Sequence, residues 1–262
     1  MREYEKVHLH YDSFFFNSSD KVESTGGKLL PIRINILNSM VTSGIYFGYG
    51  IRSFKAEGLN NLIDVYNANH KTLVQKMDQF GTTKGFKIGA NLFQFNDGKL
   101  LFATKLGYSW MNEKNEANLG SGASFQKREY DLTLYQYSGG IAFSYYMGKR
   151  LDIKIVEASI TLNNASFTNR HFTGTTQDKE ETLKNPVIQI GFNVETGLII
   201  YIVPPYISIE GTFGYSSLSI DEMDFENGNS LTKNENSSDP MDNFISGGGI
   251  FAFVTLNLSI PF

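Results

Sequence analysis

The chain has 262 residues, with 23 Lys and Arg against 27 Asp and Glu, four His and no Cys, for a formal net charge of −4. Without cysteine there is no disulfide framework and no thiolate metal site, and a charge this close to neutral gives nucleic-acid binding no electrostatic footing. No run of eighteen apolar residues exists, which excludes a transmembrane helix. What stands out is 21 Phe, 14 Tyr and 25 Gly. The mean hydropathy of −0.23 is no argument against a membrane, because strands that alternate apolar and polar residues average out to soluble-looking values.

The N-terminal MREYEKVHLH lacks the basic and apolar regions of a signal peptide. If the protein is exported, the expectation is that this sequence starts after its leader. Residues 5–16 alternate at Val7, Leu9 and Tyr11 against His8, His10 and Asp12. Residues 28–38 alternate at Ile32, Ile34 and Ile36. Residues 44–54 place Ile45, Phe47, Tyr49 and Ile51 on one face. This period of two is the mark of strands with two unlike faces.

Residues 58–80 break the pattern. Apolar residues at 59, 62, 63, 66, 73, 74 and 77 have helical spacing, and Gly81 is a plausible stop. The spacing predicts one amphipathic helix over about 58–80, serving as a cap on a barrel mouth or as a docking element.

Strands then resume. Residues 85–95 pass through Asn96-Asp97-Gly98 into 99–113, and Asp-Gly between alternating runs predicts a hairpin. Residues 124–147 read as one long strand with a bulge expected at Gly139-Gly140. Residues 147–150 form a tight turn into 151–167. A polar loop is expected over 168–185, then a strand over 186–202, a turn at Val203-Pro204-Pro205 and a strand over 206–220. An acidic, Asn-rich loop at 221–243 precedes the last run, GGIFAFVTLNLSIPF, which alternates to the final Phe262.

Short connections (39–43, 96–98, 147–150, 203–205) alternate with longer polar ones (17–27, 55–84, 114–123, 168–185, 221–243). That asymmetry is typical of transmembrane barrels. The expected fold is an all-β, antiparallel, up-and-down transmembrane β-barrel over 1–262, a single domain of ten strands. If residues 1–43 are an N-terminal extension rather than a first strand pair, the count is eight. A soluble β-barrel would use the same alternation inside out. Aromatic residues near strand ends favour the membrane: Tyr108 and Trp110 on one side, Tyr145, Tyr146, Tyr201, Tyr206 and Phe262 on the other.

The expected lipid-facing positions include Phe86, Ile88, Leu92, Leu100, Phe102, Leu106, Ile188, Ile190, Phe192, Leu198, Ile207, Ile209, Phe213 and Tyr215. The opposite faces carry Arg52, Lys87, Asn91, Lys105, Asp152, Lys154, Gln189, Asn193, Glu195, Ser208, Glu210 and Thr212. Buried charges are tolerated when paired and hydrogen-bonded. The expectation is therefore a structural lumen network of Arg52, Lys87, Lys105, Asp152, Lys154, Glu195 and Glu210.

The terminal VTLNLSIPF and the Gly-aromatic strands Gly44–Gly50 and Gly139–Tyr146 resemble the small outer-membrane β-barrels of Gram-negative bacteria, of the OmpA-transmembrane, OmpX and opacity-protein kind. The resemblance covers 44–262. It implies location in the bacterial outer membrane, a lipid bilayer and lipopolysaccharide as surroundings, and Phe262 as an assembly signal for the barrel-assembly machinery. The helical insert departs from the simplest members.

Chemistry is thinly signalled. Omptin-like proteases have ten strands and use paired Asp with an Asp-His pair. The nearest approach here is His10 and Asp12, read as a structural pair. His171, in a polar stretch near Ser166 and Thr173, reads as a surface histidine. The acidic run DEMDFENGN at 221–229 offers hard oxygen ligands but not EF-hand spacing, and reads as a solvated loop able to bridge to lipopolysaccharide through divalent ions. No cofactor, resident metal or catalytic group is expected. The leading function is a structural or interaction barrel that presents loops, alone or as a subunit of a larger envelope complex. The alternatives are a narrow channel or small-ligand transporter and, behind it, an outer-membrane hydrolase or acyltransferase.

Overall fold

The computed structural model describes residues 42–120, 125–148, 150–232 and 239–261. The N-terminal runs, with His10 and Asp12, lie outside the described residues, as does Phe262.

Eleven strands and one helix follow in order: β1 Thr42–Ser53, α1 Glu57–Asn69, β2 Leu73–Gln75, β3 Thr82–Asp97, β4 Leu100–Leu119, β5 Gln126–Gly148, β6 Leu151–Thr173, β7 Thr176–Lys184, β8 Gln189–Val203, β9 Ile207–Ser216, β10 Asp224–Phe225 and β11 Gly249–Pro261. Of the described strands, eight close a ring. β1 pairs with β3, and β3, β4, β5 and β6 follow as antiparallel neighbours. β6 pairs with β8, β8 with β9, β9 with β11 and β11 with β1. Both edges of β1 are taken, so the ring is eight-stranded rather than ten-stranded.

The outer face of the ring is apolar and its inner face is polar. Ile160, Ile190 and Val254 are 67, 75 and 62 % exposed, whereas Lys154 and Glu210 are 1 and 3 % exposed. A soluble barrel requires the opposite. The exposed band runs around the ring through Ile45, Phe86, Leu106, Ile141, Leu198 and Phe213, a surface built to face hydrocarbon. At its upper edge Tyr49, Phe86, Trp110, Tyr108 and Tyr137 form a chain of ring contacts 4.8–5.9 Å apart. Tyr145, Tyr146 and Tyr206 are exposed near the short turns. Tyr201 is not part of that lower girdle. It shares the inward face of β8 with Asn193, Glu195 and Ile199 by unbroken alternation, and its hydroxyl donates to Asp152 at 2.7 Å.

Three strands outgrow the membrane. β4, β5 and β6 have 20, 23 and 23 residues, about twice the span a tilted transmembrane strand needs. The expected polar loops at 114–123 and 168–185 are largely these continuations. Above the band, the upper half of β6 leaves β8 and pairs instead with β7. β10 adds to β7 and β2 to the end of β4. Gly174, at φ +61°, makes the β6–β7 turn.

Two local expectations fail. The helix covers only the first half of 58–80. Past Asn69 the chain turns at His70, and Leu73–Gln75 pairs with β4, because backbone pairing and the cap's packing outweigh a continued apolar period. Gly139 and Gly140 hold regular register on both sides. Gly140 is there for close approach, since a Cβ would stand 2.3 Å from the Ala158 carbonyl. The irregularities of β5 lie at Phe143/Ser144 and Tyr146/Gly148 instead.

Candidate functional site

Successive inward side chains fill the lumen in layers. At the short-turn end is a cavity of about 210 Å³, lined by Asp152, Tyr201, Asn257, Ser208 and the Pro204-Pro205 turn, with Lys105, Lys154 and Glu210 also in its wall. Above it sits a compact charge cluster. The Lys154 ammonium reaches Glu195 at 3.1 Å and contacts Glu157 and Glu210. Lys105 lies 3.0 Å from Glu157 and 3.7 Å from Glu210, and Lys87 is 3.7 Å from Glu195. Tyr46 lies among them. Its ring is 4.8 Å from the Lys105 ammonium and its hydroxyl donates to the Leu106 carbonyl at 2.9 Å.

The next layer is held by Gln136, whose side-chain oxygen accepts from Arg52 at 2.8 Å and Asn193 at 2.9 Å, and whose nitrogen donates to Asn163 at 2.7 Å. Phe251, Phe253 and Met111 pack beside it. A residual cavity of about 10 Å³ between Arg52, Lys87 and Gln136 shares no lining residue with the lower one. Three cations (Lys87, Lys105, Lys154) thus meet three carboxylates (Glu157, Glu195, Glu210), while Arg52 is held by Gln136 and Asp152 by Tyr201. In so narrow a barrel such side chains fill the interior.

The sequence-expected residues divide between these layers. Lys87, Lys105, Lys154, Glu195 and Glu210 form the central cluster. Arg52 belongs to the amide layer above it and Asp152 to the cavity below. Sequence reasoning missed Glu157, the carboxylate that joins Lys105 to Lys154. Strict alternation from Lys154 turns position 157 outward, but register shifts between 154 and 157 return it to the lumen. Gln136, Asn163 and Tyr46 were also missed. Their period-two placement on β5, β6 and β1 was the available signal.

Among the described residues, the acidic oxygens close enough to hold a metal are those of Glu157, Glu195 and Glu210. All three contact the Lys154 ammonium, which already supplies the positive charge between them. The 221–229 run does not gather its carboxylates in this way. Asp224 lies in β10 opposite Lys184, and Asn227 accepts the Asn229 N–H at 3.0 Å.

Above the lumen is an apolar core. Phe54, Leu59, Ile63, Met77, Phe80, Tyr130, Leu132, Leu134, Phe167, Leu183, Ile220, Met223, Phe244 and Ile245 are buried together. α1 seals it, with Leu59 and Ile63 fully buried. The helix stripe is therefore covered by the protein itself, as a cap requires. Asn60 and Asn67 fasten the helix by reciprocal bonds to the backbone of Phe80 and Met77 at 2.8–3.0 Å.

His171 sits on β6 in this cap. Its Nδ1 is 3.2 Å from Asp178, and the Thr173 hydroxyl donates to the same Asp178 carboxylate at 2.5 Å. A nucleophile must share its proton with the imidazole. Here the hydroxyl is tied to the acid instead, and Ser166 lies five residues down the strand.

No protein-family model and no curated protein matches the chain. Solved structures with a similar course include Neisserial surface protein A (13 % identity, TM-score 0.39, covering 85 % of this chain and 97 % of that one). Ail, the attachment invasion locus protein of Yersinia pestis, in complex with the heparin analogue sucrose octasulfate, is another (8 %, TM-score 0.39, 84 % and 99 %). The outer membrane protease OmpT from Escherichia coli is a third (12 %, TM-score 0.38, 86 % and 96 %).

Proposed function

We propose that the protein is an outer-membrane β-barrel of a Gram-negative envelope whose work is done outside the membrane: the barrel is a filled anchor and the cap a rigid interaction surface. The observation that carries this reading is the continuation of β4, β5 and β6 above the apolar band into a cap with its own buried core. A channel would need an open polar route, and a cross-linked charge cluster under an apolar plug argues against one. The Thr173–Asp178–His171 arrangement argues against a hydrolase in the same way. Bilayer and lipopolysaccharide are the surroundings this reading requires, and Phe262 is its assembly signal for the barrel-assembly machinery.

Reconstitution into planar bilayers tests it. The expected record shows no discrete openings, and large stable openings would overturn the filled-anchor reading in favour of a channel. Purification in mild detergent then separates a free-standing barrel from a subunit, according to whether an envelope protein stays bound in fixed proportion.

A further inference from the structure

Several charged residues on the upper parts of β4 to β7 pair with one another. Glu129 accepts from Lys114 at 2.8 Å, Arg170 at 3.0 Å and Lys127 at 3.2 Å. Arg170 also holds Asp131 and Glu180, and Lys179 pairs with Glu181. Arg128 is different. It is half-buried on the opposite face of β5, and among the described residues no carboxylate pairs with it. Its Nε donates to Asn169 at 3.0 Å. Its guanidinium carbon lies 5.0 Å from the Tyr66 ring centre and 5.6 Å from that of Tyr130. Two aromatic rings, the Asn169 amide and a bond to the Tyr66 hydroxyl thus fix the direction of a planar fork whose five N–H donors exceed these partners.

Beside it is a cavity of about 70 Å³, lined by Tyr66, His70, Leu119, Gln126, Lys127, Arg128 and His171. Both imidazoles are oriented: His70 Nδ1 donates to the Tyr66 carbonyl at 2.9 Å, and His171 Nδ1 is held by Asp178 at 3.2 Å. The carboxylates on this side are engaged elsewhere, Asp178 with His171 and Thr173, and Glu181 with Lys179 and the Asn169 amide. A guanidinium without a carboxylate, aimed beside a small polar cavity, is the arrangement that binds a tetrahedral oxyanion by paired hydrogen bonds.

We propose that this cavity is an anion site for a phosphate or sulfate group, with Arg128 as its principal ligand and Gln126 and Lys127 at its rim. Its height argues for a group presented from outside rather than for the membrane's own headgroups. Arg128 is nine residues beyond Tyr137 of the upper girdle, about 30 Å along the strand and about 20 Å above the girdle at a usual tilt. The site does not depend on a closed lumen and stands or falls apart from the conductance experiment.

The intact barrel, in zwitterionic detergent, is titrated calorimetrically with inorganic phosphate and separately with inorganic sulfate. The expected result is saturable binding of at least one of them at one site per chain, weakened at least tenfold by Arg128→Gln and unchanged by Arg170→Gln on the opposite face. Vesicles of anionic phospholipid should not compete. Gln126→Glu, which brings a carboxylate to the rim without touching the stacked guanidinium, should abolish binding and serves if Arg128→Gln does not fold. Absence of saturable binding to the unaltered protein, equal binding by folded Arg128→Gln or by Gln126→Glu, or displacement by the vesicles would overturn the proposal.

Discussion

Lys154 and Glu157 lie three positions apart on β6 yet face the same lumen, because the strand slips register against β8 between them. Lys154 contacts all three central glutamates. Removing one partner of a buried ion network costs about 3–5 kcal/mol, because the remaining charges stay desolvated and unpaired. Lys154→Met should therefore destabilise the barrel strongly in reversible urea unfolding from lipid vesicles. Lys154→Met combined with Glu157→Leu and Glu210→Gln should recover part of the loss. A single variant as stable as the parent would show that the cluster is solvated rather than buried.

The Tyr46 hydroxyl meets Gly89 and Gly107, cross-strand partners on β3 and β4. A Cβ at Gly107 would stand 2.6 Å from that hydroxyl and 2.7 Å from the Ser138 hydroxyl; one at Gly89 would stand 2.3 Å from it. The glycines make the hollow into which the ring fits. Gly107→Val should cost about 1–3 kcal/mol by overpacking. Tyr46→Phe, which only deletes the bond to Leu106, should cost about 1 kcal/mol. Gly107→Val in a Tyr46→Ala background should cost less than in the parent, and equal costs would show that ring and glycine do not touch.

These two clusters show what the sequence carries and what it withholds. The inward positions of Lys87, Lys105, Glu195 and Glu210 were legible because β3, β4, β8 and β9 alternate without interruption there. Glu157 was not, because a register shift depends on what neighbouring strands do, and that information is not local. The choice of ten strands over the alternative of eight failed for a similar reason. Residues 5–16 and 28–38 alternate as well as any ring strand, but alternation does not say which edges β1 leaves open, and it leaves none. Above the membrane the signal fades altogether. β7 is exposed on both faces over its first five residues and buries only Leu183, and the ends of β4 and β6 carry polar residues on both faces, so these segments read as polar loops, and Arg128 carried no mark that set it apart from its paired neighbours.

Two carboxylates in the cap respond to pH in opposite senses. For Glu129, burial opposes the charged form, but hydrogen bonds from Lys114, Arg170 and Lys127 outweigh it and hold the carboxyl below its ordinary range. Its stabilising contribution is full above the unfolded carboxylate range and is lost as pH falls through the lower folded value. For Glu113, burial wins over the bonds it accepts from the Gly81 and Thr82 backbone and raises its pKa. Its contribution is full below the unfolded range and is lost as pH rises through the raised folded value. Glu129→Gln should therefore flatten the acid limb of cap stability. Glu113→Gln should flatten the opposite limb, which begins at the ordinary carboxylate range and extends above it. Hydrogen exchange of cap amides against pH measures both, and limbs that persist in the variants would assign them to other groups.

The cap and the barrel share strands but differ in what holds them, so they should fail separately. The barrel is fastened by a closed ring of backbone pairing, and the cap by an apolar core under a 13-residue helix. Among the described residues, that helix has no side-chain bond at its N-cap and no basic residue in its last turn. Its stability must come from the burial of Leu59 and Ile63 and from the anchors of Asn60 and Asn67. Ile63→Ala should cost about 2–5 kcal/mol, the usual range for a fully buried position that cannot collapse. That loss should appear as protease cleavage within residues 55–81, with the compact electrophoretic mobility of the folded barrel unchanged. Asn60→Ala should act the same way but more weakly, since it removes two hydrogen bonds and little apolar area. If Ile63→Ala instead unfolds barrel and cap together, the two are one cooperative unit, and the continuation of β4, β5 and β6 across the membrane boundary transmits the loss of the helix to the ring.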